Sequence, residues 1–143
     1  NQKGQLGDGT TTDRSSPVQI GTTEWAMMAA NVAYSVVAVK TDGTLWAWGN
    51  NSFGELGQGD TTDISSPVQI GSLTDWKIVA TPDYAVVSVK TDGTLWSWGR
   101  GSTGRLGNGS VSNISSPAQV GSDTDWISVG NCQGLHIHAI RSA

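Results

Sequence analysis

A single cysteine, Cys132, excludes an internal disulfide and any metal centre built from several cysteines. A lone thiol of this kind is most often a small core residue. Basic side chains are also few: eight Lys and Arg against twelve Asp and Glu leave a net charge of −4, with no block of like charge. Nucleic-acid binding draws its affinity from phosphate counterions released by a basic stripe, and with no such stripe present no nucleic-acid partner is expected. No apolar run approaches the roughly twenty residues of a spanning helix. The most apolar window, 26–39, is interrupted by Asn31 and Ser35, so no membrane insertion is expected. Leu, Lys and Glu, all good helix formers, are scarce too. What remains is a chain of nineteen glycines and seven tryptophans among many Thr and Ser, a composition suited to turns and strands.

That composition is organised by repetition. Residues 41–57 read TDGTLWAWGNNSFGELG and residues 91–107 read TDGTLWSWGRGSTGRLG, with twelve of seventeen positions identical. Shifting the sequence by fifty residues also superposes Gly4, Gly54 and Gly104, then Leu6, Leu56 and Leu106, then Pro17, Pro67 and Pro117. Trp25, Trp76 and Trp126 match with one-residue slips. The units run 1–50, 51–100 and 101–143.

Each unit reads as four strands. WKIVAT (76–81), YAVVSVK (84–90), TLWSW (94–98) and SPVQI (66–70) are short runs rich in β-branched and aromatic residues. Asp42-Gly43 and Asp92-Gly93 separate two such runs, where a tight hairpin needs the positive φ that glycine adopts without steric cost. Proline in the Ser-Ser-Pro triplets is expected at the start of the last strand, making that strand the outer edge of its sheet. Runs such as YAVVSV alternate little, which implies sheets covered on both faces. Trp46/Trp48 and Trp96/Trp98 share one side of their strands at i, i+2 and are expected to fill the space between sheets. Four strands repeated every fifty residues predict an all-β, partial β-propeller of about three four-stranded antiparallel blades.

The phrase V-K-T-D-G-T-L-W-x-W-G, followed by x-x-x-x-G-x-L-G-x-G, resembles the repeat of the regulator of chromosome condensation family in three copies along the chain. The resemblance implies blades of a propeller that has seven in the best-known members. The Trp-rich form is more similar to bacterial and bacteriophage members, among them a secreted β-lactamase inhibitor protein, than to the eukaryotic exchange factor. A His common at the start of the second strand is replaced here by Tyr34, Tyr84 and Leu135.

The third unit lacks a counterpart of GTLWAWGN (43–50). The sequence is therefore expected to be an arc of a six- or seven-bladed propeller, whose remaining blades come from the same polypeptide or from another subunit. Stacked units cannot bury their faces alone, so the arc needs neighbours at both ends.

Candidate chemistry is sparse. GRGSTG (99–104) fits a dinucleotide-type glycine pattern, but no helix pattern follows it and its counterpart is GNNSFG, so a blade loop is expected and no cofactor. His136 and His138 share a strand face without a third ligand, and no metal site is expected. Asp8, Asp13, Asp60 and Asp63 depart from calcium-loop spacing and read as turn caps. No nucleophile elbow accompanies the serines. The loop after the first strand differs most between copies, reading AANVAYS, ATPDYA and GNCQGLH. Loops freed from framework duty are where propellers place binding residues, which singles out Asn31, Tyr34, Asp83, Tyr84, Gln133 and His136. The expected function is non-enzymatic binding or display of a protein or glycan partner, by a bacteriophage virion or a bacterial surface or secreted protein. The alternative is a regulatory propeller that inhibits an enzyme or acts as a nucleotide exchange factor does.

Overall fold

The computed structural model describes residues 1–22, 24–31, 33–130 and 137–142. Strands β1 (Trp25–Ala30), β2 (Ser35–Lys40), β3 (Leu45–Gly49) and β4 (Ile64–Gln69) form one antiparallel sheet in chain order. The next, again in chain order, holds β5 (Trp76–Ala80), β6 (Ala85–Lys90), β7 (Leu95–Gly99) and β8 (Ile114–Gln119). A third sheet contains β9 (Trp126–Gly130) and β10 (His138–Arg141), so that among the described residues the expected arc is two four-stranded sheets and a two-stranded one.

Both Asp-Gly turns form as expected, with φ of +78° at Gly43 and +79° at Gly93. Each turn also fixes a tryptophan. Asp42 Oδ1 accepts from Thr44 N–H (2.9 Å) and from Thr44 Oγ1–H (2.6 Å), while Thr44 Oγ1 accepts from the Trp46 indole N–H at 2.8 Å. Asp92, Thr94 and Trp96 repeat the relay. These hydrogen bonds hold the Asp42 and Asp92 carboxyls below the usual carboxylate range.

Proline sits differently from expectation. Pro67 and Pro117 occupy the fourth position of β4 and β8 rather than the first. The register shifts there, between Ala47 and Gly49 on β3 and between Ser97 and Gly99 on β7. An irregularity on an edge strand tolerates a residue without an N–H, so the edge placement holds while the position moves. The hexapeptide SSPVQI occurs at both 15–20 and 65–70, yet the first copy carries no strand.

The sheets stack face to face, which explains the weak alternation of β2 and β6, buried almost throughout. Val37, Val39, Leu45 and Ala47 of the first sheet share one core with Trp76, Val86 and Trp98 of the second. On its other face the second sheet packs Val87, Val89 and Leu95 against Val129 and Trp126 of the third. The second sheet thus presents tryptophans to the first sheet and aliphatic residues to the third. Trp98 is fully enclosed, whereas Trp96 keeps part of its ring in solvent. A cation bridges the rings: Lys90 Nζ lies 4.3 Å from the Trp96 ring centre and 4.7 Å from that of Trp76, with Asp75 at 3.4 Å. Lys40 does the same over Trp46 and Trp25. Such contacts contribute about 0.5–2 kcal/mol, more as water is excluded.

Candidate functional site

The loops joining first to second strands and those following third strands gather at one end of the stacked sheets, because an antiparallel strand pair returns every second connection to the same side. Here the variable segments of the first two units meet. The Asn31 side-chain amide donates to the Asp83 carbonyl in the next sheet, and its Oδ1 accepts from Ala33 N–H (3.0 Å) and Ser35 N–H (3.2 Å). The Asp83 carboxylate accepts from Arg105 Nη1 at 2.6 Å and lies 3.8 Å from Arg100 Nη1. Arg105 is buried. Arg100 lies over two rings, 4.9 Å from the centre of Phe53 and 5.6 Å from that of Tyr84. Those rings meet edge to face at 4.9 Å.

Asn31, Asp83 and Tyr84 are therefore brought together. Tyr34 stands apart, 58 % exposed beside Asn1, Gln2, Gln5 and Asp13 at a polar hollow of about 240 Å3. Gln133 and His136, like Cys132, lie outside the described residues. Among the described residues, Tyr34, Asp83 and Thr103 are the non-glycine positions with positive φ. All three fall in these loops, where strained backbone is typically held for a purpose. Asp8 and Asp60 cap their own turns, Asp8 Oδ1 accepting from Thr10 N–H and Oγ1–H and Asp60 Oδ1 from Thr62 N–H, whereas Asp63 departs from that expectation, its Oδ1 accepting from Asn51 N–H across the loop. Hydrogen bonds from Thr10 and Arg14 hold Asp8 down to about 2.

The family described as "Regulator of chromosome condensation (RCC1) repeat" matches residues 42–81 and 92–130, more than half of the chain. The chain belongs to the RCC1 repeat family. No curated protein matches it. Among solved structures, Prp20p from Saccharomyces cerevisiae superposes with a TM-score of 0.82 at 20% identity, over 100% of this chain and 39% of its own. That structure is described together with binding to Gsp1p and histones. Yeast RCC1 (Prp20) bound to Kap60 gives 0.79 at 20% identity, covering 100% and 37% respectively. Human WBSCR16 gives 0.77 at 20% identity, covering 92% and 36%. This chain spans less than two-fifths of the length of each, and at that identity the likeness establishes the RCC1 propeller fold.

Within these RCC1 repeats, comparison of first-to-second-strand loops misses Phe53, Arg100 and Arg105. The signal was present in the sequence, because their counterparts differ by copy: Lys3 and Thr103 for Phe53, Asn50 for Arg100, Gln5 and Glu55 for Arg105. Glu55 is fully buried beneath the rim, accepting from Asn50 Nδ2 at 3.0 Å and from Phe53 N–H at 2.7 Å. Burial pushes its carboxyl above the ordinary range, and the charges of Asp63 and Asp83 add to this against two backbone N–H donors. The folded state then retains a proton that the unfolded chain releases near pH ~4.3. Its contribution is full below that pH and is lost as pH rises through the folded-state value. Glu55→Gln should therefore gain melting temperature relative to the parent as pH rises above about 4.3. Parallel melting curves above that pH would show the carboxyl to be unperturbed.

Proposed function

We propose that the chain is a non-enzymatic RCC1 propeller module that binds a protein partner through the rim formed by Asn31, Phe53, Asp83, Tyr84 and Arg100. We place it in a virion or in a bacterial surface or secreted protein. The observation that carries the reading is the Arg100 guanidinium held over Phe53 and Tyr84 beside the Asp83 carboxylate. Aromatic rings and arginine dominate binding hot spots, and side chains already fixed by their neighbours lose little entropy on association. The Gsp1p and histone binding described for Prp20p is consistent with protein partners for this fold. The resemblance of the Trp-rich repeat to bacterial and bacteriophage members supports the setting.

The test offers the immobilised chain separately to bacterial envelope proteins, to glycans and to soluble lysate. Capture from the envelope is expected, and Tyr84→Ala with Arg100→Ala should weaken it about tenfold or more, the loss of a hot spot of roughly 2 kcal/mol. Both residues are only partly buried, so melting should change little. Stoichiometric retention of one soluble enzyme would instead support the regulatory alternative. Capture indifferent to both substitutions would overturn the rim.

A further inference from the structure

The three units differ in the connection that leads into their first strand. Four residues, GTTE, separate Ile20 from Trp25, whereas five, GSLTD and GSDTD, separate Ile70 from Trp76 and Val120 from Trp126. Across the short connection the Trp25 indole N–H donates to the Ile20 carbonyl at 3.2 Å. In both units with the longer one the indole N–H is buried and finds no acceptor among the described residues. A buried donor left unmet costs about 1–3 kcal/mol, and native folds keep few of them.

Trp76 lines a cavity of about 470 Å3 together with Gln58, Ile70, Leu73, Trp96 and Pro117. Both walls come from the two complete four-stranded sheets and their connections, and no rim residue takes part. The volume lies in the range of small-ligand pockets. Trp96 keeps part of its ring in solvent, and the second unit alone places an apolar residue in its longer connection, Leu73, 47 % exposed. The polar groups are few. Gln58 Nε2 donates to the Gln69 carbonyl at 3.0 Å, which leaves Oε1 as an acceptor, and the exposed Ser116 hydroxyl can accept or donate. Among the described residues no charged side chain lines the cavity. Lys90, which lies over both indole rings, is buried and paired with Asp75, so it offers no free charge. A fitting ligand is therefore neutral, has an apolar face for the rings, and both donates to Gln58 and accepts from Trp76. A proline-rich peptide, the usual guest of aromatic grooves, brings carbonyl acceptors but no N–H at its prolines. A sugar ring meets each requirement, with C–H bonds on its faces and hydroxyls that donate and accept.

We propose that this cavity is a glycan subsite seating one neutral pyranose ring. The ring stacks on Trp96, one hydroxyl donates to Gln58 Oε1, and a second oxygen accepts from the Trp76 indole N–H. That donor is covered in the free protein, and Leu73, exposed at the mouth, is the side chain that makes way. The indoles are already held by their neighbours, so they give contact area at little entropy cost.

The test titrates the intact chain, its indoles isotope-labelled for nuclear magnetic resonance, with the methyl glycosides of glucose, galactose, mannose, fucose, N-acetylglucosamine and N-acetylgalactosamine. At least one should bind saturably, with a Kd of about 10 mM or tighter, and shift the Trp76 indole resonance, which is identified by its loss in Trp76→Phe. Gln58→Leu should weaken that binding at least tenfold, whereas Lys77→Ala, exposed on β5 and outside the cavity, should leave it unchanged. Gln58 is partly exposed, so its substitution keeps the outcome decisive if Trp76→Phe fails to fold. No saturation by any of these glycosides, binding that Gln58→Leu leaves intact, or equal loss in Lys77→Ala would each overturn the proposal. Saturable binding of a proline decapeptide in place of the sugars would overturn it in favour of a peptide groove.

Discussion

Trp98→Ala is expected to destabilise the chain by about 3–5 kcal/mol, the range for truncating a large aromatic in a core. The ring is fully enclosed between two sheets and makes edge-to-face contact with Trp76 at 6.0 Å. Its removal leaves a cavity and deprives the buried Glu55 carbonyl of its donor, a separate cost of roughly 1–3 kcal/mol. Against a total stability of about 5–15 kcal/mol for a domain, this approaches loss of cooperative folding. Trp96→Ala, one pleat away on the same face, should cost clearly less, since that ring remains partly in solvent. Urea midpoints for the pair decide the matter. Equal losses, or a Trp98→Ala loss below about 1 kcal/mol, would show that the second tryptophan does not bond the sheets.

The second large effect concerns backbone alone. In Gly93→Ala the new Cβ would lie 2.0 Å from the Thr124 carbonyl oxygen and 2.7 Å from its carbon. Neither atom belongs to a side chain that could swing away. The same carbonyl region is locked in place because Trp126 N–H donates to Gly93 O at 3.1 Å. Substitution therefore adds a forced separation of the second and third sheets to the cost of about 1–3 kcal/mol for a non-glycine residue held at positive φ. Gly71→Ala is the control, with φ of +61° and nothing within 4 Å of the added carbon. The difference between the two denaturation midpoints measures the close approach by itself. If the two substitutions cost the same, the Asp-Gly turn would be serving only its own hairpin.

Much of the architecture could be read from the chain because the signals are local and repeated. Asp42-Gly43 and Asp92-Gly93 turn as their chemistry demands, and the four runs of one unit become β4 to β7 with small differences at their ends. The place of Pro67 could not be read, since a mid-strand irregularity depends on how β4 registers with Ala47 and Gly49 of another strand. The rim was half legible. Asn31, Asp83 and Tyr84 stood out through variation among copies; Phe53 joins them only because a loop of the first sheet overhangs the second, whereas Arg100 arrives at the end of β7, its N–H donating to the Tyr84 carbonyl at 2.9 Å.

The paired tryptophans show where local information ends. Trp96 and Trp98 stand two residues apart on one face of β7, yet Trp98 is fully enclosed and Trp96 keeps part of its ring in solvent. Composition, period and turn chemistry determined by themselves that this is an all-β repeat chain with tryptophan-faced sheets, since those follow from backbone sterics and side-chain size. Which tryptophans lose all contact with water and which loop residues meet were decided by stacking. Edge hydrogen bonds and buried faces need a partner surface, and only the neighbouring unit provides it.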